Sequence, residues 1–550
     1  MTNAAILLHP DAFETDRPRL LGRHAAGESF LRGFLRHAEV DRFYFWRGRN
    51  IDAATLEAAV RALEPIDKPI RWFADFDRPQ LHEVGVVALP GPNLDTEAWA
   101  RRPFGGGAYS LCGLTHTTAT ARTMTTLANF LIAPVEPHDA LICTSRAVRA
   151  SVEAQLEGVR DYLASEYPGP RRRGEPLLAT IPLGINTEQF ETRPADRKAW
   201  RERLDIPEDA VVALYVGRFN AVEKMNPALM ALSLERAAQR CAQRLVWVNA
   251  GWASQEDQAE AYHAAVRALC PSVGYRVVDG RPADVRFSIW SVADLFISFS
   301  DNIQESFGLT PVEAMAAGLP SVVTDWDGYR DTVRDGEDGF RIDTAAPAPG
   351  SGFDMAYWHA HDWWTYPAYV GSVAQLTAID LDQAADAIAA LAANPELRRA
   401  QGERAKARAK AVFDWSAIIP QYQALWAEQT ARRQAAASAP PAANDPFRPD
   451  PFTLFAAYPT RHLAATWRAA VPAGMTWPVA AARLAGPLAA FGAMNRPTLQ
   501  EAEEIVAWLA EQPGLAVAEI AARFPANRRN AITRGLLWLA RFGVIALTPA

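Results

Sequence analysis

Cysteine is scarce in this chain. Four residues among 550, Cys112, Cys143, Cys241 and Cys270, lie far apart, and no C-x-x-C pair occurs. That spacing suits neither a zinc site nor a disulfide framework, so buried, reduced thiols in a cytoplasmic protein are expected. Long apolar runs are also missing, and no stretch reaches the roughly 18 residues that span a bilayer. A basic excess is absent as well. The 56 Lys and Arg against 63 Asp and Glu leave a net charge of −7, a field that does not draw nucleic acid or acidic lipid to the protein as a whole. The opening "MTNAAILLHPDAFE" has no charged leader and no cleavage site, and reads as a first β-strand rather than a signal peptide.

What is present is a globular composition, 49% hydrophobic and 22% charged, in a chain too long for one core. Short apolar runs alternate with helical patterns. In the first half the strand candidates are Ile6–Leu8, Phe43–Trp46, Ile70–Phe76, Val84–Leu89 and Leu141–Thr144. In the second half they are Ala210–Phe219, Arg244–Gly251, Leu295–Ser300 and Ser321–Asp325. Helical periodicity over Ser29–His37, Pro227–Ala238 and Gln258–Leu269 falls between them. This alternation predicts two successive parallel sheets, each covered on both faces. The expected boundaries are a first domain at 1–190, a second at 191–430, an Ala/Pro/Ser-rich linker at 431–446 and a last module at 447–550. Open parallel sheets bind ligands at the C-terminal ends of their strands, so a cleft between the domains is the expected site.

The segment "SDNIQESFGLTPVEAMAAGLP" follows one such strand. Its pattern predicts a helix over Pro311–Ala317, with Thr310 as N-cap and Glu313 three positions later. Thr-x-x-Glu is itself a capping box, so Glu313 either closes its own helix or accepts hydrogen bonds from a ligand's vicinal hydroxyls. The helix tip directs free N–H groups and partial positive charge at a phosphate site. Gly308 lets the Phe307–Leu309 backbone approach a ligand, and Glu305 is placed to meet a group beyond the phosphates. "VGRFNAVEK" puts Gly217, Arg218 and Lys224 after the first strand of the second domain, where a planar fork and a point charge suit a diphosphate.

Together these features make "ESFGLTPVEAMAAGLP" resemble the E-x7-E segment of retaining glycosyltransferases of the two-domain GT-B fold, family 4 (group 1) type. The resemblance covers about residues 1–430. It implies an α/β protein with two doubly wound, Rossmann-like domains facing a cleft. It also implies sugar transfer from a UDP- or GDP-linked donor to a saccharide, lipid-linked or other small acceptor, in polysaccharide or glycoconjugate biosynthesis, with no required metal or other cofactor. In that pattern Glu313 holds the ribose, Glu305 the donor sugar, and Arg218 and Lys224 the departing diphosphate. Gly217, Ser306, Phe307, Gly308 and Leu309 line the nucleotide, and His116 in "CGLTHTTAT" touches the donor sugar. Gly27 in "LLGRHAAGESFLRGF" lies in a loop that opens toward the cleft. The Arg-to-Lys spacing is one residue longer than the pattern, and Met225 stands where glycine is usual.

Other features carry bland and sharp readings side by side. Asp75-Phe-Asp77 and Asp325-Trp-Asp327 are either turn formers or metal ligands, and turn formation is favoured. The aromatic stretch 345–378 is long for a loop, and its Trp358, Trp363, Trp364 and Tyr366 either stack on sugars or pack the insertion down. The last module, with a capping box at Thr498–Glu501 and three short helices before a strand, fits a winged-helix arrangement. Docking of a protein partner is preferred to nucleic acid there, and peripheral membrane contact stays open. Two competing classes are a sugar phosphorylase or sugar-phosphate synthase on the same fold, and a non-enzymatic docking protein acting through the last module.

Overall fold

A computed structural model describes the chain except residues 1, 10–21, 49–51, 168–174, 254–255, 438, 443–444 and 550. The chain divides into two compact units, Met1–Asp445 and Pro446–Ala550.

The larger unit holds two parallel sheets. The first contains β1 (Ala5–Leu8), β2 (Phe43–Arg47), β3 (Ile70–Phe73), β4 (Val86–Ala88), β5 (Ser110–Leu114), β6 (Ala140–Cys143) and β7 (Leu177–Thr180), in the order β3-β2-β1-β4-β5-β6-β7. The second contains β8 (Val211–Arg218), β9 (Leu245–Trp252), β10 (Gly274–Asp279), β11 (Leu295–Ser298), β12 (Ser321–Thr324) and β13 (Gly339–Ile342), in the order β10-β9-β8-β11-β12-β13. Every pairing within both sheets is parallel.

Continuous apolar sequence becomes strand here because both faces of each sheet are covered. Along β8, Val212 and Leu214 enter one core with Val246 and Val248, while Val211, Ala213 and Tyr215 enter the opposite core with Leu245 and Trp247. Successive side chains alternate between faces, and both faces are dry. The doubly wound reading therefore holds for both domains. β10 and β13 are strands that the apolar pattern did not single out: "GYRVVD" is half exposed along its length and "GFRI" is short.

The helix Trp415–Ala435 returns to the first domain. Trp415, Ile418, Ile419, Tyr422, Leu425 and Trp426 join the core beneath β1, β2 and β5, and the Trp415 indole donates to Ser29 Oγ at 2.8 Å. It runs past the expected end at residue 430. Beyond it the Ala/Pro stretch lies along the first domain: Gly106 N donates to the Ala439 carbonyl at 2.9 Å and Ala442 N to that of Arg102 at 3.1 Å. Composition alone suggested a free linker, but these backbone bonds tether it.

The aromatic stretch is not a loop. Helices Phe353–Ala360 and Tyr366–Ala374 stand on an antiparallel ribbon of β14 (Thr344–Ala345) and β15 (Ala378–Ile379).

In the smaller unit, helices Trp477–Leu484, Leu499–Glu511, Val517–Ala522 and Arg529–Arg541 surround an apolar core that includes Ile505, Leu509, Ile520 and Leu536. An antiparallel sheet of β16 (Arg468–Ala470), β17 (Leu515–Ala516) and β18 (Ala546–Thr548), in the order β17-β16-β18, completes it. The Thr498–Glu501 capping box forms, and Glu501 also pairs with Arg528 at 2.7 Å. The expected helices and last strand are present. β16 and β17 are additional, and too short for their alternation to show in sequence.

Candidate functional site

In each sheet the strand order reverses once, at β1/β4 and at β8/β11. Such a reversal splays the following loops apart and opens a crevice at the strand ends. The β8/β11 crevice is flanked by two loops, 218–226 and 299–308, and these carry most of the residues singled out from sequence.

The loops are laced together by side chains. Asn220 Oδ1 accepts from the amides of Val222 and Glu223 at 2.9 and 2.8 Å, folding the first loop into a turn. Asn302 Nδ2 donates to the Val222 carbonyl and Gln304 Nε2 to that of Glu223, each at 2.7 Å. Asp301 Oδ2 accepts from Asn226 N at 3.2 Å, and burial pushes its carboxyl up to about 6 against that bond. Asn226 then caps the helix Pro227–Arg240. This lacing brings Lys224 Nζ to Glu305 Oε2 at 2.6 Å, both largely buried. The longer Arg-to-Lys spacing does not keep Lys224 out of the site. Met225 points inward and is buried against Ser298.

Arg218 ends β8, with its guanidinium 3.4 Å from Glu223. Gly217 precedes it in a crowded position: a Cβ there would lie 2.5 Å from Tyr215 Oη. Its smallness is therefore explained by packing within the strand end.

The helix expected over Pro311–Ala317 starts earlier, at Leu309, and ends at Ala316. Its N-cap is Gly308 at φ 84°, not Thr310, so the Thr310–Glu313 capping box does not form and Glu313 sits a full turn into the helix. The cause is tertiary. A Cβ on Gly308 would lie 2.1 Å from the Tyr329 ring, and one on Gly328 would lie 2.4 Å from Phe307 Cα. The loop before the helix is thus pressed onto the 326–329 turn, and only glycine fits the left-handed cap there. The Phe307 side chain faces the core against Phe413, leaving the 306–309 backbone as the part a ligand would meet. The Ser306 carbonyl already accepts from Thr144 Oγ of the first domain at 3.3 Å.

The two glutamates differ electrically. Burial acts to raise Glu305, but the charge and hydrogen bond of Lys224, with the amides of Ser306 and Phe307, hold it below its ordinary value. Burial pushes Glu313 up to about 7, against the weaker pull of Arg286 and Lys224. Glu313, Leu309 and Arg286 line a cavity closed on the other side by Glu28, Ser29 and Gly184.

First-domain candidates fall near but differently. Gly27 is inside the helix Gly22–His37 rather than in a loop, although its neighbours Glu28 and Ser29 line the cavity with Glu313. The "HAAGESFLRGF" run has good helix formers on either side of the glycine, and these carry the helix through it. His116 follows β5, and its Nε2 lies 2.8 Å from the Pro90 carbonyl.

Asp77 caps its own short helix by accepting from Ala74 N at 2.8 Å. Asp325 pairs with Arg341 at 3.1 Å. Asp327, at φ 41°, accepts from Ser145 Oγ of the first domain at 3.4 Å. Burial, then the charge of Glu305, push its carboxyl up to about 7. Asp327 and Arg286 are site neighbours that sequence reading missed as such. No group of three metal-ligating side chains occurs among the described residues, and no helix of theirs is long and apolar enough to cross a membrane.

Residues 196–348 match the family model for glycosyl transferases, group 1. That region is similar to the group 1 glycosyltransferase family. Curated relatives include a D-inositol 3-phosphate glycosyltransferase of Acidothermus cellulolyticus, 30% identical over 32% of this chain and 39% of the relative. Another from Streptomyces bingchenggensis is 31% identical over 37% of this chain and 46% of the relative. The lipopolysaccharide 1,2-N-acetylglucosaminetransferase of Salmonella typhimurium is 29% identical over 30% and 43%. The chain thus spans less than half the length of these three relatives. Among solved structures, Anabaena HepE in complex with UDP matches with a TM-score of 0.50 and 16% identity, over 78% of this chain and all of that one. At that identity the likeness concerns the fold: two Rossmann-like domains in the GT-B arrangement. The matched region covers β8 to β13, with both glutamates, Arg218 and Lys224 inside it.

Proposed function

We propose that the protein transfers a glycosyl group from a nucleotide-diphosphate sugar to an acceptor with retention of configuration. The observation that carries this reading is the Lys224–Glu305 pair at the β8/β11 crevice, with Arg218 at the end of β8 and the Gly308-capped helix following β11. A diphosphate in that crevice meets two cations and a helix tip, which stabilise the charge that grows on it as the sugar bond breaks.

Each cation is matched to a carboxylate: Lys224 to Glu305 and Arg218 to Glu223. Donor binding exchanges these partners. The diphosphate takes Lys224, and Glu305 is freed to accept from sugar hydroxyls. Glu313 in its cavity accepts from the ribose. His116 borders the sugar, the 306–309 backbone meets the diphosphate, and the first domain presents the acceptor. In the transfer step the sugar C1–O bond to the diphosphate breaks. The acceptor oxygen bonds C1 on the same face, and its proton passes to a donor phosphate oxygen. The UDP bound to HepE makes uracil the first base to test.

The test is thermal-shift screening against UDP, GDP and ADP sugars, since a ligand that binds only the folded state raises the midpoint. Nucleoside diphosphate release and NMR assignment of the product anomer follow. A stabilising donor and a retained anomer support the reading. Silence across all three nucleotides, or an inverted product, overturns it. Turnover that needs inorganic phosphate or a sugar phosphate would assign the protein to the phosphorylase or synthase class instead.

A further inference from the structure

The 345–378 insertion reaches the crevice through one side chain. Tyr366 opens the helix Tyr366–Ala374, and its hydroxyl donates to Gln304 Oε1 at 2.8 Å. Gln304 is the neighbour of Glu305, and its Nε2 donates to the Glu223 carbonyl at 2.7 Å. Glu223 is in turn the neighbour of Lys224. A continuous chain, Tyr366 to Gln304 to Glu223, therefore runs behind the Lys224–Glu305 pair and ties its two loops together. The same phenol lies near the Thr117 side chain of the first domain, next to His116, and within the fields of Arg218 and Glu223. The helix is also seated closely on the loop: a Cβ on Gly371 would lie 2.5 Å from Val222 Cγ1.

Packing alone would need the ring but not the hydroxyl. Here the hydroxyl joins the insertion to Gln304, a segment far away in sequence, and through it to the Glu223 loop. Gln304 has its amide oxygen and nitrogen both engaged, so its rotamer, and with it the direction of the loop entering Glu305, is set by the partners at each end. We propose that Tyr366 is a positioning residue that holds Lys224 and Glu305 in register for the donor's sugar and diphosphate. The inference rests on the reading above of Glu305 and Lys224 as donor contacts. It adds the insertion, which lies beyond the E-x7-E segment, to the donor site.

Tyr366→Phe removes only the hydroxyl, and Gln304→Met breaks the same link from its other side. In the unliganded chain, hydrogen exchange of amides in 302–307 and 221–225 should speed up in both variants, while β8 and β9 stay protected. Kinetically, kcat on the nucleotide sugar that the wild type uses should fall about tenfold in either variant, the loss expected for one broken hydrogen bond in a positioning chain, with UDP affinity within about twofold. The double variant should lose no more than the worse single one, because both act through one link. Unchanged exchange in the two loops, or additive losses in the double variant, overturns the proposal. Wild-type silence to every nucleotide sugar ends this proposal together with the glycosyl-transfer reading. Wild-type turnover with an unaffected Tyr366→Phe ends this one alone.

Discussion

Glu305 and Glu313 stand at the two ends of one short segment, yet the protein treats them in opposite ways. Glu305 has a cation at 2.6 Å and amide donors beside it, and is held ionised. Glu313 lies in a cavity with Arg286 near but no ion-pair partner among the described residues, and burial brings it up to about 7. What separates them is the laced loop pair at one end and the helix body at the other. A carboxylate that is already paired is available to a ligand only by exchange of partners. One that is buried and near neutrality is available according to pH. The segment thus offers a fixed charge at the diphosphate end and an adjustable one at the other.

The sharpest way to break this comparison is to remove the fixed charge. Lys224→Ala leaves Glu305 buried without its partner and the diphosphate without a cation, and transfer should fall by about 10²–10³-fold. Glu305→Gln should lose a similar amount in kcat while affinity for bare UDP is kept or rises, because the diphosphate no longer competes with the Glu305 charge for Lys224. Steady-state kinetics on both variants, paired with calorimetric UDP titration, check the two statements. Equal losses of UDP affinity in both would show that the two ends are not electrically distinct.

The hinge between the ends is Gly308. Gly308→Ala meets both the φ 84° backbone and the Tyr329 ring at 2.1 Å, and should cost about 2–4 kcal/mol of unfolding free energy. Gly336→Ala is the matched control: its φ is 73°, but nothing lies within 4 Å of the added carbon, so only the backbone term of about 1 kcal/mol remains. Urea midpoints of the two variants separate crowding from backbone strain.

Much of this arrangement was legible before the structure. Strands such as "VVALYVGR" are apolar on both faces, so their period marks a covered parallel sheet. Arg218, Lys224, Glu305 and Glu313 were singled out because ligands bind at strand ends, and the structure pairs two of them, Lys224 and Glu305. The start of the helix at Leu309 was not legible. A Thr-x-x-Glu cap and a Gly308 cap are equally consistent with "FGLTPVE", and the choice is made by Tyr329 and Gly328, some twenty residues later. Tyr366 was hidden for a similar reason. Its aromatic neighbours read alike in sequence, and only its bond to Gln304 sets it apart. The tether at Ala439 and Ala442 was invisible because backbone groups make it, and composition does not report on them.

The smallest expected effect tests the adjustable end. Glu313 is raised, so its carboxyl is mainly neutral below about 7 and ionised above it. The ionised form is the better acceptor for ribose hydroxyls. UDP affinity should therefore climb between pH 6 and pH 8 by about fivefold, the range expected if the ionised form is the competent one. Glu313→Gln should flatten that rise while keeping a usable acceptor. Arg286, Lys224 and Glu28 face or line the same region, and Asp327 titrates over the same interval beside Ser145. Calorimetry on Asp327→Asn separates the two carboxyls, and that variant should keep the slope. The stability linkage runs the other way: a raised acid binds more protons folded than unfolded, so its contribution to stability is present at low pH and is lost as pH rises through about 7. A wild-type UDP affinity that is flat with pH, or a slope that survives in Glu313→Gln, would mean that the cavity end is as fixed in charge as the Lys224 end.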